Sequence, residues 1–266
     1  MTKPLAVQLY TFRDLDRPGP EGLGLDPATL EAIAEIGYLG VETVDIPGGD
    51  AVAARRTLDE VGLRVTSSHS WARPDDLEGF GRAAAGIAEL GSSSIIVSSG
   101  KLGTTADIAA FADRLNAAAI VARTHGLTLA LHNHSAEMQL VEGVTAYHRL
   151  RERLDHDIRF QVDIFWVQVG GADPVSVIRD LGDRVVSLHV KDGAVLPAEA
   201  GDEPFVNVPI GEGVVDVASA VAAADPYPGI EWAIVEFDYC DGPPIDAVRA
   251  SFAWMVEHGL GRGARP

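Results

Sequence analysis

Four apolar runs in this chain each stop at side chains that could bind a metal ion or carry a proton. The run that ends near residue 131 is the richest, because two imidazoles, an amide and a carboxylate follow it within six residues. The ligand-type residues at the four ends are His132, Asn133, His134, Glu137, Asp163, His189 and Glu236. Carboxylates and imidazoles together suit Mn²⁺, Mg²⁺ or Co²⁺. Cys240 is the only cysteine, so a thiolate-rich zinc site is excluded.

Such a site would act on a hydroxy-ketone. A divalent ion held by these side chains would bind two adjacent oxygens, polarise the carbonyl and stabilise the enediolate that forms when a base removes the neighbouring proton. Aldose–ketose isomerisation, epimerisation and dehydration next to a ketone all share this step.

The elements that must position these residues follow a repeated pattern. Short runs rich in Val, Ile and Leu alternate with longer Ala-rich segments of helical period, which is typical of βα units and a parallel sheet. The predicted strands cover residues 5–10, 40–45, 63–69, 94–99, 127–132, 158–163, 185–191 and 231–237. The predicted helices cover residues 27–36, 51–61, 75–90, 105–125, 144–154, 173–181, 214–223 and 245–258.

Eight strands and eight helices over about 250 residues match one α/β domain of the (β/α)8 TIM-barrel type. No linker divides the chain, so residues 1–266 are predicted to form a single domain. A doubly wound open sheet is the competing architecture. It is disfavoured because no G-x-G-x-x-G follows the first strand and because ligand-type residues recur at many strand ends. The segment 192–213 is long for a connection, which predicts a functional loop.

In a barrel of this kind the active site lies at the carboxyl ends of the strands. The strand ends add Glu42 and His69 to the candidates. His69 is predicted to line the pocket and contact substrate. Glu42 is interpreted either as a catalytic base opposite the metal or as a rim acid whose hydrogen bonds are already made.

Four further residues at or beyond the strand ends are candidates for contact with substrate. Lys191 follows His189 by two residues, so both side chains are expected to point into the barrel. Lys191 would then bind a substrate oxygen or stabilise an enolate; the alternative is an exposed loop lysine. Trp166 and Trp71 could form an apolar wall for a sugar ring, or they could pack in the core. Asp238, just beyond the last strand, could orient a ligand.

Motifs along nearly the whole chain carry a family resemblance. In order they are VQLYTFRD at 7–14, GVE at 40–42, LHNH at 131–134 with Glu137, QVD at 161–163 followed by GGADP at 170–174, LHVKDG at 188–193, IGEG at 210–213 and IVE at 234–236. With these motifs the chain resembles the xylose isomerase-like barrel superfamily. Within it, the chain resembles in particular the sugar phosphate isomerases and epimerases, a group that includes inosose dehydratases and isomerases and 3-keto-glycoside lyases.

The resemblance implies a divalent-metal site. The family's ligands are a glutamate from strand five, an aspartate from strand six, a histidine from strand seven and a glutamate from strand eight. The last three correspond to Asp163, His189 and Glu236 in this chain. Mn²⁺ is the favoured cofactor, with Mg²⁺, Co²⁺ or Zn²⁺ as alternatives.

The first ligand of the family set is the point where this chain departs from the pattern. Many members end strand five in Glu-Asn-His, whereas this chain has His132-Asn133-His134. The acid is either displaced to Glu137 or replaced by His132, and Glu137 is favoured because it keeps the set rich in carboxylates. His132 and His134 are then candidates for proton transfer or substrate binding, or for structural hydrogen bonds at the rim.

The predicted function is a metal-dependent isomerase or epimerase that acts on a sugar, keto-sugar or cyclitol through an enediolate. The alternative is a metal-dependent lyase or dehydratase. Less favoured are a non-catalytic sugar-binding subunit and an endonuclease that acts on abasic DNA. No cluster of basic residues forms a phosphate cradle, which favours an unphosphorylated substrate.

Charge and composition bound the partners. Lys and Arg number 21 against 39 Asp and Glu, a formal net charge of −18 that repels nucleic acids and anionic membranes. No apolar run approaches the roughly 20 residues of a membrane span, and no signal peptide is evident at the start. The expectation is a cytoplasmic enzyme with a small-molecule substrate, and a homo-oligomer is left open.

Overall fold

A parallel barrel forms the centre of the molecule. The computed structural model describes residues 2–13, 26–98, 100–194 and 206–264. The barrel strands are β1 (Lys3–Gln8), β2 (Gly40–Val44), β3 (Arg64–His69), β4 (Ser94–Val97), β5 (Thr128–His132), β6 (Arg159–Asp163), β7 (Val185–Val190) and β8 (Trp232–Val235). Each strand pairs in parallel with the next, and β8 also pairs with β1, which closes the barrel. The predicted (β/α)8 architecture is confirmed.

Helices surround the strands. In the part of the chain that the structure describes they are α1 (Pro27–Ile36), α2 (Ala51–Glu60), α3 (Leu77–Leu90), α4 (Thr105–Thr124), α5 (Ala146–Arg153), α6 (Ile164–Val169), α7 (Pro174–Leu181), α8 (Val217–Ala223) and α9 (Pro244–Glu257). Most begin at an Asp or Thr whose side chain accepts an N–H of the first turn, which explains why their starts are visible in the sequence. None of these helices combines the length and the apolar character that crossing a bilayer requires.

Two differences from the sequence-based prediction have a clear local cause. The first strand covers Lys3–Gln8 rather than 5–10, because the Gln8 side chain accepts the N–H of Tyr10 and starts a 3-10 turn at Leu9–Phe12. Helix α6 was not predicted, since six residues directly after a strand are too few to show a helical period. Of the predicted loop at 192–213, residues 195–205 lie outside the described residues.

The barrel interior changes from apolar to polar along its axis. The main core fills the space between strands and helices, whereas a small separate cluster of Ala6, Trp232 and Ile234 lies inside the barrel. Beyond that cluster, toward the carboxyl ends of the strands, the interior side chains are polar and buried. A polar interior of this kind must satisfy its own hydrogen bonds, and these bonds build the site described next.

Candidate active site

A cavity of about 200 Å³ opens at the carboxyl ends of the strands. Seven of the residues singled out in the sequence line it: His69, Trp71, His132, His134, Lys191, Glu236 and Asp238. Its size suits a small molecule rather than a polymer. The site is therefore built from the residues around this cavity and the buried side chains beneath it.

Three of the predicted metal ligands lie together. Asp163, His189 and Glu236 each offer one ligand atom, and these atoms lie within 4.8 Å of one another. His189 Nδ1 is 2.6 Å from Glu236 Oε2, and its Nε2 contacts Glu42. Burial lowers the pKa of His189, but Glu42 and Glu236 outweigh burial and raise this pKa to about 10. His189 is therefore protonated in this structure. Its Nδ1 proton lies between His189 and Glu236, at a position that a cation could occupy instead.

Asp163 is held so that one carboxylate oxygen faces the cluster. Its Oδ1 accepts the N–H of Trp166 at 3.0 Å and so starts α6. Asn133 accepts the N–H of Asp163 and donates to its carbonyl oxygen, which fixes the backbone at the end of β6. Oδ2 is buried and accepts no hydrogen bond from the described residues, although Lys191 Nζ is 2.9 Å away. An oriented anionic oxygen of this kind is suited to a cation.

Lys191 is buried with only 1% of its surface exposed. Its Nζ is 2.9 Å from Asp163 Oδ2, 2.7 Å from Glu236 Oε2 and 2.9 Å from Asp238 Oδ2. Burial lowers the pKa of Lys191, but the three carboxylates outweigh burial and raise it well above its ordinary value. The side chain points into the barrel, as the alternation with His189 predicts, and the interpretation as an exposed loop lysine is wrong.

Glu42 is completely buried and accepts hydrogen bonds on both oxygens. Its donors are Gln8 Nε2 at 2.7 Å, Gln161 Nε2 at 2.6 Å, Ser67 Oγ and His189 Nε2. Burial raises the pKa of Glu42, but His189 and His69 outweigh burial and hold it well below its usual range. A carboxylate in this environment is a weak base. The structure therefore favours the second interpretation offered by the sequence, an acid whose hydrogen bonds are already made.

Gln161 connects Glu42 to His132 through hydrogen bonds on the two sides of its amide group. Because an ionised carboxylate only accepts hydrogen bonds, the Gln161 amide NH2 must face Glu42, and the amide oxygen must face away. That oxygen lies 3.0 Å from His132 Nδ1 and 2.9 Å from His69 Nε2. The proton of His132 is therefore on Nδ1.

His132 Nε2 consequently carries a lone pair, and it lies 3.9 Å from Asp163 Oδ2. Burial, and then the positive charges of His189 and nearby histidines, lower the pKa of His132 well below its usual range. A neutral imidazole whose other nitrogen donates to a carbonyl-type oxygen is the form that binds metals.

His134 is the more accessible imidazole. Its Nδ1 lies 3.1 Å from the carbonyl oxygen of Ser98, so Nδ1 carries the proton and Nε2 has the lone pair. Nε2 has no hydrogen-bond partner among the described residues. Burial, and then Lys191, lower the pKa of His134, which keeps the ring neutral at physiological pH. It is arranged as a proton acceptor at the cavity wall.

Glu137 is the predicted ligand that the structure does not bring into the metal-type clusters of the described residues. Its carboxylate is buried and accepts the N–H of His134 at 2.8 Å. Burial raises the pKa of Glu137 to about 7. This hydrogen bond shapes the turn after β5, which presents His134 to the cavity.

Comparison with known protein families identifies the family to which this chain belongs. The sequence model of the xylose isomerase-like TIM barrel family matches residues 30–258. The chain belongs to this family. No curated protein sequence matches the chain significantly.

Solved structures of this barrel type resemble the chain over nearly its whole length. A sugar phosphate isomerase/epimerase from Parabacteroides distasonis ATCC 8503 gives a TM-score of 0.80 at 21% identity over 96% of this chain and 98% of that chain. The probable 3-DHS dehydratase AsbF from Bacillus anthracis gives 0.75 at 14% identity over 95% and 98%. The IolI protein, in a crystal structure with a bound zinc atom, gives 0.74 at 14% identity over 97% and 98%. Because the sequence identities are low, the structural likeness shows a shared fold and nothing more specific.

Of the remaining candidates, His69 and Trp71 line the cavity, whereas Trp166 contacts two of its lining residues, His134 and Asp238. Trp166 donates its indole N–H to Asp238 Oδ2 at 3.2 Å, and its ring lies 5.7 Å from that of His134. Trp71 lines the mouth and is 62% exposed. Its backbone N–H bonds to Asp45 Oδ1 at 3.2 Å. His69 lines the cavity and donates to Gln161 from below.

Sequence reasoning missed several residues that position the site. Gln161 precedes Asp163 by two, so the alternation of a strand could have placed both on the inner face. Asp192 is harder to find, because its carboxylate accepts the distant N–H groups of Gly211 and Gly213. A side chain at Gly213 would collide with that carboxylate, which explains the glycine in the 210–213 motif. Asp192 thus ties this loop to the end of β7.

The donor set fits the divalent cation that the family implies. Asp163 Oδ2 is a buried anionic oxygen without a hydrogen bond, and His132 Nε2 is a lone pair directed toward the same space. A cation could take the place of the proton that His189 shares with Glu236, because metal ions and protons compete for the same lone pairs. His132 lies where the resemblance places the family's strand-five acid, and its Nε2 is 3.9 Å from Asp163 Oδ2.

Proposed function

We propose that this protein holds one divalent cation with Asp163, His189, Glu236 and His132 and catalyses proton transfer beside the carbonyl of a keto-sugar or cyclitol, as an isomerase or epimerase. The observation that carries the proposal is the orientation of Asp163. Its Oδ2 is buried, accepts no hydrogen bond from the described residues and faces ligand atoms of His189 and Glu236.

The donor set also bears on which cation is bound. Two carboxylates and two imidazoles suit Mn²⁺, Co²⁺ or Zn²⁺ better than Mg²⁺, which prefers oxygen ligands and water. Once bound, the cation would act as a Lewis acid that polarises the substrate carbonyl. The zinc in the IolI structure is consistent with a cation of this group.

The chain's own residues supply the proton transfer. His134 Nε2 lines the cavity with a free lone pair, and the Ser98 carbonyl oxygen holds the ring in that tautomer. It would accept the proton on the carbon beside the carbonyl and return it to the neighbouring position. The ammonium of Lys191 also lines the cavity and would stabilise the negative charge that develops on the substrate oxygen. Trp71 would cover the ring from the mouth of the cavity.

A lyase is the second candidate, because the cavity pairs a neutral imidazole with a cationic amine. His134 could remove a proton while Lys191 assists an oxygen that leaves from the next carbon. Elimination and isomerisation would then begin with the same proton abstraction. The structural likeness to a probable dehydratase is compatible with this outcome.

Hydrogen exchange tests the shared step before the product is known. The Mn²⁺-loaded protein would be incubated in D2O with a panel of keto-sugars and inososes, each with and without a phosphate group, and followed by NMR. We expect deuterium at the carbon beside the carbonyl in at least one compound, and loss of exchange on chelation. A new alkene signal would identify the lyase. Absence of exchange across the panel, with metal bound, would contradict the proposed chemistry.

Metal analysis tests the cofactor independently of any substrate. Protein dialysed against Mn²⁺, Co²⁺ or Zn²⁺ should retain about one equivalent per chain. Retention of less than about half an equivalent of every cation, measured by plasma mass spectrometry, would rule out the site.

A further inference from the structure

The position of Lys191 within the carboxylate cluster has a consequence for metal binding. We infer that the ammonium of Lys191 is a built-in competitor of the metal ion: it neutralises Asp163 and Glu236 when no metal is bound, and it withdraws to Asp238 when metal binds. This inference rests on the proposed metal site, and it concerns how tightly and how reversibly that site binds.

The first argument is that Lys191 contacts the same oxygens that the cation needs. Its Nζ is 2.9 Å from Asp163 Oδ2 and 2.7 Å from Glu236 Oε2. Both residues belong to the cluster whose ligand atoms lie within 4.8 Å of one another. A metal ion binds such oxygens at about 2.0–2.2 Å. It would therefore lie next to the ammonium, and two like charges in a buried site repel strongly.

The second argument is that Lys191 has a partner outside the metal cluster. Asp238 Oδ2 lies 2.9 Å from Nζ, and Asp238 is not among the clustered metal-type ligands of the described residues. The indole N–H of Trp166 donates to the same Asp238 oxygen at 3.2 Å, which holds that carboxylate in place. Lys191 can therefore give up two contacts while it keeps the third.

The third argument is the charge balance of the buried site. Four carboxylates, those of Glu42, Asp163, Glu236 and Asp238, face the two cations His189 and Lys191. Without Lys191 the excess of negative charge would increase, and an uncompensated buried charge is strongly destabilising. The lysine thus allows the chain to fold without metal and at the same time weakens its affinity for metal.

Calorimetric titration with MnCl2 tests this competition. We expect Lys191→Met to bind Mn²⁺ about tenfold or more tightly than the wild type, because the competing charge is gone. Lys101→Met is the matched control, since Lys101 is exposed and pairs with Asp107 at the surface. Its affinity should equal that of the wild type.

A double-mutant cycle with Asp238→Asn tests the withdrawal. In the presence of Lys191, Asp238→Asn should weaken Mn²⁺ binding several-fold, about fivefold. In the Lys191→Met background the same change should have a markedly smaller effect, because no ammonium needs the second position. An equal effect in both backgrounds would show that Asp238 acts only through its own charge and would overturn the withdrawal.

Thermal unfolding gives a readout that does not depend on activity. Metal-free Lys191→Met should unfold at a lower temperature than the wild type, and Mn²⁺ should raise its unfolding temperature by more than it raises that of the wild type. If metal-free Lys191→Met does not fold, refolding in Mn²⁺ should recover it. If it also fails in Mn²⁺, the Asp238→Asn titration alone decides, and unchanged affinity there overturns the inference.

The outcomes separate this inference from the proposed function. One Mn²⁺ per chain in the wild type, with equal or weaker binding in Lys191→Met, would overturn the competition and leave the metal site intact. No binding to the wild type or to any variant would overturn both.

Discussion

The two sides of the site differ in charge although they belong to the same ring of strand ends. The charged side comprises Asp163, His189, Lys191, Glu236 and Asp238, from β6 to β8 and the segments beyond them. The imidazole side comprises His69, Ser98, His132 and His134, from β3 to β5 and the segments beyond them. Ion pairs hold the charged side, whereas neutral hydrogen bonds to carbonyl-type oxygens hold His132 and His134.

This difference assigns a separate task to each side. Closely spaced carboxylates with internal counter-ions can exchange those counter-ions for a metal. Neutral imidazoles with fixed tautomers can accept a proton. His132 lies at the boundary, because its Nδ1 belongs to the hydrogen-bond network and its Nε2 faces the charged side. Four substitutions, from the largest expected effect to the smallest, test this division.

Asp163→Asn should reduce affinity for Mn²⁺ by more than about 100-fold, since it removes the charge of a direct ligand. Asparagine keeps an oxygen for the N–H of Trp166, so α6 should still form. Equilibrium dialysis with metal analysis measures the effect. Asp157→Asn, at an exposed residue paired with Arg123, is the control and should bind like the wild type. If Asp163→Asn binds Mn²⁺ as tightly as the wild type, the charged side does not form the metal site.

His134→Gln should slow substrate hydrogen exchange by about 10²- to 10⁴-fold, the usual contribution of a general base. Mn²⁺ affinity should not change, because His134 belongs to the imidazole side. Exchange would be followed by NMR in D2O, beside His156→Gln as a control at an exposed histidine. A fall in metal affinity equal to the fall in exchange would show that the two sides do not divide the work.

Gln161→Met should lower Mn²⁺ affinity by about 10- to 100-fold, as expected for a group that orients a ligand from behind. The substitution removes the oxygen that holds the proton on His132 Nδ1. Gln139→Met, at an exposed position, is the control for the loss of an amide. If titration gives the same affinity for Gln161→Met and the wild type, the tautomer of His132 does not matter for binding.

Trp71→Ala should raise the KM for the substrate by about 2- to 10-fold and leave kcat and metal affinity unchanged, because the ring covers only the mouth. Steady-state kinetics on the compound identified by exchange measure this effect. The control is Leu140→Ala, which truncates another exposed apolar side chain that does not line the cavity. A large fall in kcat would place Trp71 closer to the reaction than the cavity indicates.

The barrel and the position of its candidate site could be predicted because both follow from local sequence patterns. Short apolar runs that alternate with Ala-rich segments of helical period predicted the order of the elements. The rule that barrel sites lie at the carboxyl ends of strands then selected Asp163, His189 and Glu236 before any contact was known. The inward direction of Lys191 followed from the alternation of side chains along a strand.

The rest depended on contacts between residues far apart in the chain. Gln161 and Glu42 are 119 positions apart, and only the closed barrel shows that their hydrogen bond sets the proton position on His132. The expectation for Glu137 rested on keeping a carboxylate near the strand-five position. The backbone N–H of His134 is the partner that this carboxylate has in the fold. Helix α6 was not visible because its length is less than two turns.

The identity of the fourth ligand is the most direct test of the account. Electron spin echo modulation of the Mn²⁺-loaded protein counts the imidazole nitrogens that are coupled to the ion. We predict two nitrogens in the wild type, two in Glu137→Gln and one in His132→Gln. One nitrogen in the wild type, together with loss of bound metal in Glu137→Gln, would contradict the account and make Glu137 the ligand.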